Sequence, residues 1–114
     1  MGAQGTAILD FGVFPGKSDT SVDVTGQATI AAASLAEAWI RPVATADHSA
    51  DEHMLETLKI FAGNILAGTG FTIYGFNTSE IYEVPVGKTN LNRGGQFGTG
   101  TRIYGQWTVA WVWN

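Results

Sequence analysis

Asp47, His48, Asp51, Glu52 and His53 form the one short stretch in which imidazoles and carboxylates crowd together. Such a set could hold a divalent cation or move a proton. A zinc-peptidase helix needs two His residues four apart on one face, with a Glu beside the first. Here the two His residues are five apart, about 140° around a helix, so on a helix they diverge. The inverted order H-x-x-E-H fails as well, because three residues separate His48 from Glu52. His48, Asp51 and His53 are therefore weak metal candidates, and the plainer reading is a polar loop that caps a turn.

Other chemistry has less to stand on. Gly87-Lys88-Thr89 resembles the end of a phosphate-binding loop, but Tyr82 stands where the motif needs its first Gly. Asn90, Asn92 and Gly94 also disfavour the helix that should follow. There is no G-x-S-x-G turn and no Cys, so nucleophilic catalysis has few groups to use. Carboxylate pairs exist, Glu80 with Glu83 and Asp51 with Glu52, yet nothing singles one out as a hydrolytic dyad. Asn77-Thr78-Ser79 matches a glycosylation sequon, which is a frequent chance match. The expectation is a chain with no catalytic residues and no cofactor.

The elements that would carry these residues read as short strands. Thr6–Phe11 is a first strand, and Phe14-Pro15-Gly16 carries the Pro-Gly preference of a type II turn. Thr20–Val24 alternates, Ala28–Ala33 is a plausible strand of small side chains, and Ala36–Val43 stops near Pro42. Ser49 and Glu52 match a capping box, so one short helix near residues 49–56 competes with a strand from about Met54 to Ala62. The strand is favoured there, with at most one helical turn before it. Phe71–Phe76 and Ile81–Val86 are further strands, and Gly87–Thr101 is a long Gly-rich loop of the kind that is functional or held by a partner.

The last segment is the clearest. From Ile103 to Trp113 one face carries Ile103, Gly105, Trp107, Val109, Trp111 and Trp113, and the other carries Tyr104, Gln106, Thr108, Ala110 and Val112. Three of the four Trp residues share a face. That face is core or, in part, a sugar-stacking platform or an intersubunit contact. Together these elements predict an all-β chain, an antiparallel β-sandwich of jelly-roll-like form, with residues 1–114 as a single domain.

Composition narrows the partners. The net charge is −4, and the six cations, Lys17, Arg41, Lys59, Lys88, Arg93 and Arg102, are scattered. No basic patch is available for phosphate contacts, which argues against nucleic acid. Only 14% of residues are charged and Gly is abundant at 15, a balance that leaves weakly solvated surface suited to protein contact. Residues 1–5 lack the basic and apolar regions of a signal peptide, and the run Ala28–Ala36 is too short to span a bilayer. The expectation is a soluble chain, complete as written, with no membrane partner. The candidate interface residues are Phe14, Trp39, Asn92, Arg93, Phe97, Trp111 and Trp113.

The wording of several segments, TAILDFGVFPG (residues 6–16), AEAWIRPVATADHSADEH (residues 36–53), GTGFTIYG (residues 68–75) and YGQWTVAWVWN (residues 104–114), resembles small virion structural proteins of tailed bacteriophages. The resemblance implies a virion component with no catalytic residues to carry over. Proteins of this size in such particles serve as head decoration (cement) proteins, often trimeric, or as tail and fibre parts. The partners implied are further copies of the chain and the major capsid protein or tail proteins, with the head surface favoured as location. The alternative is a tail or fibre module that binds a host glycan or receptor, through an exposed aromatic such as Trp39 or Phe97 near Asn90 and Asn92.

Overall fold

The computed structural model describes residues 2–77 and 102–114. Among these residues six strands and one short helix follow in the order β1 (Ala3–Asp10), β2 (Asp19–Val24), β3 (Ala36–Ile40), α1 (Ala50–Leu55), β4 (Leu58–Leu66), β5 (Gly70–Asn77) and β6 (Gln106–Trp113). They form two three-stranded sheets, β1-β6-β3 and β2-β5-β4, in which every pairing is antiparallel. The sheets stack as a sandwich, and the all-β reading of the sequence holds.

The first and last strands of the chain are neighbours, and β6 is the centre of its sheet. Its alternating face, Trp107, Val109, Trp111 and Trp113, is buried against Leu9 and Phe11 of the first sheet's side and Val24, Phe71 and Ile73 of the second. Phe71 and Trp111 meet edge to face across the two sheets, with ring centroids 5.5 Å apart. Room for the indoles comes from the flanking strands. Ala3 and Ala36 lie opposite Trp113, and Gly5 and Ala38 lie opposite Trp111. Gly5 is the tightest of these: a Cβ there would fall 2.6 Å from Trp111 Cζ2. The alternation of large and small side chains across neighbouring strands lets the layer interdigitate.

Burial obliges each indole N–H to find an acceptor. Trp107 Nε1 donates to the Tyr104 carbonyl (3.1 Å), Trp111 Nε1 to the Thr6 carbonyl (3.3 Å) and Trp113 Nε1 to Gln27 Oε1 (2.8 Å).

Four local expectations need correction. Residues 28–33 are not a strand. They form consecutive turns closed by Ile30 N–H to Gln27 O and Ser34 N–H to Ala31 O, because a run of Ala offers little to bury and only Ile30 reaches the core. Met54 and Leu55 belong to α1, and the following strand starts at Leu58. The capping box holds that helix: Ser49 Oγ accepts from Glu52 N–H (3.3 Å) and Glu52 Oε1 accepts from Ser49 N–H (2.6 Å). The Pro-Gly turn is closed by Gly16 N–H to Val13 O at 2.7 Å, with a cis Phe14–Pro15 bond, so Pro15 sits at the third turn position rather than the second. Finally, the last strand begins at Gln106, not Ile103. Gly105 has φ +86° and breaks the ladder, leaving Ile103 in an isolated bridge with Lys17. The expected strand Ile81–Val86 and loop Gly87–Thr101 lie outside the described residues.

Candidate functional site

The imidazole-rich stretch sits at one end of the sandwich, where β6 begins. The reason lies in the edge that β3 leaves open. β3 ends at Ile40, opposite Val109, so the earlier β6 residues on that side, Thr108 and Gln106, have no strand partner. The segment after β3 supplies one in pieces. Arg41 N–H donates to Thr108 O (2.9 Å), and His53 Nε2 accepts from Thr108 N–H (3.0 Å). Thr45 Oγ1 donates to Gln106 O (2.8 Å), and Asp47 Oδ1 accepts from Gln106 N–H (3.0 Å). Residues 41–53 therefore replace the missing strand with side-chain and loop bonds, and they bury Thr108 on the face of β6 that the sequence pattern left polar.

His53 is almost wholly buried, and both its nitrogens are spent on backbone. Nδ1 donates to the Ser49 carbonyl at 2.8 Å while Nε2 accepts from Thr108. Only the neutral ring with its proton on Nδ1 satisfies both bonds.

His48 is buried as well and stacks on Trp107, with ring centroids 3.9 Å apart and planes 21° apart. Its Nε2 donates to the Tyr104 carbonyl at 2.7 Å. Its Nδ1 makes no hydrogen bond and lies 3.4 Å from Glu52 Oε1. A proton on Nδ1 would complete a charge-assisted contact there.

Two carboxyls around this end are held below their ordinary range. For Asp47 the chief cause is the Gln106 N–H, opposed by partial desolvation and helped by the neighbouring His48 ring and the Thr45 hydroxyl. For Glu52 it is the Ser49 N–H, again opposed by desolvation and helped by His48.

The weak metal candidates do not assemble. Among the described residues no three His, Asp or Glu side chains are placed to share an ion. The two imidazoles do not diverge as helical spacing suggested, because His48 precedes the cap Ser49 and is not on the helix at all. Both rings converge on Trp107 instead, His53 at 4.9 Å and His48 at 3.9 Å. Asp51 is exposed in the first turn of α1.

Of the candidate interface residues, Phe14 is 75% exposed and Trp39 is 45% exposed. Trp111 and Trp113 lie inside the domain's own core, so they present little surface to a partner. Asn92, Arg93 and Phe97 lie outside the described residues. Among the exposed apolar side chains that sequence reasoning missed, Val13 (88%) and Leu55 (81%) are the most exposed. In a capped amphipathic turn a Leu is expected to face inward, so no sequence signal marked Leu55. Phe14, Leu55, Tyr104, His48, Glu52 and Arg102 line one hollow of about 470 Å³ at this end, and Phe14 packs edge-on against Tyr104 at 5.5 Å.

Fold and site together define a β-sandwich domain whose histidines are structural and whose one end carries an aromatic and aliphatic rim. Compared with protein-family models, curated proteins and solved structures, the chain has no match. No helix among the described residues is long and apolar enough to cross a membrane.

Proposed function

We propose that this chain is a non-enzymatic structural component of a bacteriophage particle, a capsid decoration (cement) protein that works as an oligomer, with a trimer favoured. The observation that carries the reading is the apolar rim at the β6-start end of the sandwich. Val13, Phe14 and Leu55 are each three-quarters exposed or more and gather at that end, beyond the residues that fill the core; Leu35 and Met54 are exposed to a similar degree elsewhere on the surface. Apolar side chains left in water at one place mark a contact surface. The resemblance of four segments to small virion proteins supplies the partner class: further copies of the chain and the major capsid protein. On a symmetric shell many weak contacts add through effective concentration, so a rim this small is enough to contribute.

The test is location and assembly. Cryo-EM of purified particles should place the chain on the capsid lattice, and light scattering should give a mass above that of one chain. The double variant Phe14→Ser/Leu55→Ser should keep its fold and lose particle binding. Density at the tail would move the reading to a tail protein. A monomer absent from the particle would end it.

A further inference from the structure

The outer face of the β2-β5-β4 sheet has a composition that the contact role does not use. Register sets its side chains in three rows across the strands: Asp23, Thr72 and Gly63; Ser21, Tyr74 and Phe61; Asp19, Phe76 and Lys59. The middle and last rows form an aromatic platform. Phe61 and Tyr74 are half-exposed, Phe61 and Phe76 have centroids 5.9 Å apart, and Lys59 Nζ lies 5.8 Å from the Phe61 ring.

The first row is polar and fixed. Strict alternation along β4 would turn Asn64 inward, since Phe61 and Gly63 already face out. A bulge between Gly63 and Leu66 prevents this, with Asn64 at φ +53°. Bulges re-aim side chains, and Asn tolerates this backbone region better than most residues. The result is a directed chain: Asn64 Nδ2 donates to Thr72 Oγ1 (3.4 Å), which donates to Asp23 Oδ1 (2.9 Å). Asp23 Oδ2, Asn64 Oδ1 and the Tyr74 hydroxyl have no hydrogen-bond partner among the described residues. A hollow of about 150 Å³ lies beside the row, lined in part by Asp23, Asn64 and Thr72.

We infer that this face binds a neutral oligosaccharide. A sugar ring has an apolar C–H face and a polar rim of vicinal hydroxyls. The C–H face suits the electron-rich faces of Tyr74 and Phe61. The hydroxyls suit a carboxylate that only accepts next to an amide that donates and accepts, which is what Asp23 and Asn64 offer. Successive rows are about 7 Å apart, so one ring can sit at the Asp23–Asn64 end with the next over Tyr74. Charge decides between ligands. Among the described residues Asp19 and Asp23 flank the platform and Lys59 is its one cation, so phosphates and acidic sugars are disfavoured. The Asp23–Asn64 end of the face lies away from the histidine hollow, which Asn77 beside the Phe76 row lines, and the inference goes beyond the particle-contact reading without depending on it.

The experiment is an NMR titration of the full chain with neutral oligosaccharides of glucose, galactose, mannose and N-acetylglucosamine, with a sialylated oligosaccharide as control. Amide shifts should concentrate at residues 21–23, 61–64 and 72–76, and the sialylated sugar should bind more weakly. Tyr74→Ala and Asp23→Ala, both at exposed positions, should unfold at nearly the native temperature and each weaken binding about tenfold or more. Three results would overturn the inference: no neutral sugar shifts these amides, shifts arise elsewhere, or both variants bind as well as the native chain. A fourth is self-association through this face, seen as a native mass above one chain that falls to one chain in Tyr74→Ala.

Discussion

His48 and Trp107 lie ring on ring at 3.9 Å and donate to the same oxygen, the carbonyl of Tyr104, at 2.7 and 3.1 Å. One backbone carbonyl thus uses both lone pairs to hold two buried rings in register. Tyr104 precedes Gly105, so this point is also where β6 starts. The loop that carries His48 and the strand that carries Trp107 are locked together there.

The two imidazoles should differ in what their loss costs. His53→Ala leaves the buried Thr108 N–H without an acceptor and opens a void beside Trp107, so unfolding free energy should fall by about 2–4 kcal/mol. His48→Ala loses the stacking, but the Tyr104 carbonyl keeps its Trp107 donor, so the loss should be smaller, about 1–2 kcal/mol. Urea unfolding of both variants measures the order. If His48→Ala is the more damaging, the strand-edge role assigned to His53 is wrong.

Gly105 should not tolerate a side chain. Its φ of +86° disfavours any L residue, and a Cβ would fall 2.5 Å from Asp47 Oδ2 and 2.6 Å from His48 Nε2. Backbone strain alone costs about 1–3 kcal/mol. Gly105→Ala should therefore lower the melting temperature and release the 45–48 loop, seen as faster amide exchange at Gln106 and Thr108. An unchanged melting temperature would contradict the packing described.

Acid should loosen the same end of the molecule. Asp47 and Glu52 ordinarily titrate near 3.8 and 4.5, and both are shifted downward in the fold. The unfolded chain therefore takes up protons first as the pH falls, and stability present above about pH 4.5 is lost as the pH drops through the lowered values. Both groups are exposed, so screening keeps the effect modest. Melting curves from pH 6 to pH 3 should slope downward below pH 4.5, and Asp47→Asn should flatten part of that slope.

The core was legible where local pattern and tertiary burial agree. The alternation from Trp107 to Trp113 is strong because β6 is central and its inner face is buried along its length. The small residues Ala3, Gly5, Ala36 and Ala38 gain meaning only through register, which the sequence does not display. Ser49 and Glu52 could be read because a capping box is local. The histidines could not. Their spacing invites a helical-face argument, but their placement follows from where β3 stops, a contact between residues more than fifty positions apart. The Asp23–Thr72–Asn64 row was hidden for a similar reason, since it joins three strands and depends on a bulge.

Removing residues 111–114 tests the architecture most severely. Trp111 and Trp113 are partners of Ala3 and Gly5 in β1 and of Ala36 and Ala38 in β3, so the deletion unpairs one end of both flanking strands. It also strips the edge-on contact from Phe71 and leaves Gln27 and the Thr6 carbonyl without their indole donors. Each lost Trp is worth about 3–5 kcal/mol. Two together approach the whole stability of a small domain, about 5–15 kcal/mol. The truncated chain should be insoluble, or soluble without the cooperative unfolding transition of the full chain. A truncated chain that melts cooperatively near the native temperature would show that β6 is not the strut on which both sheets rest.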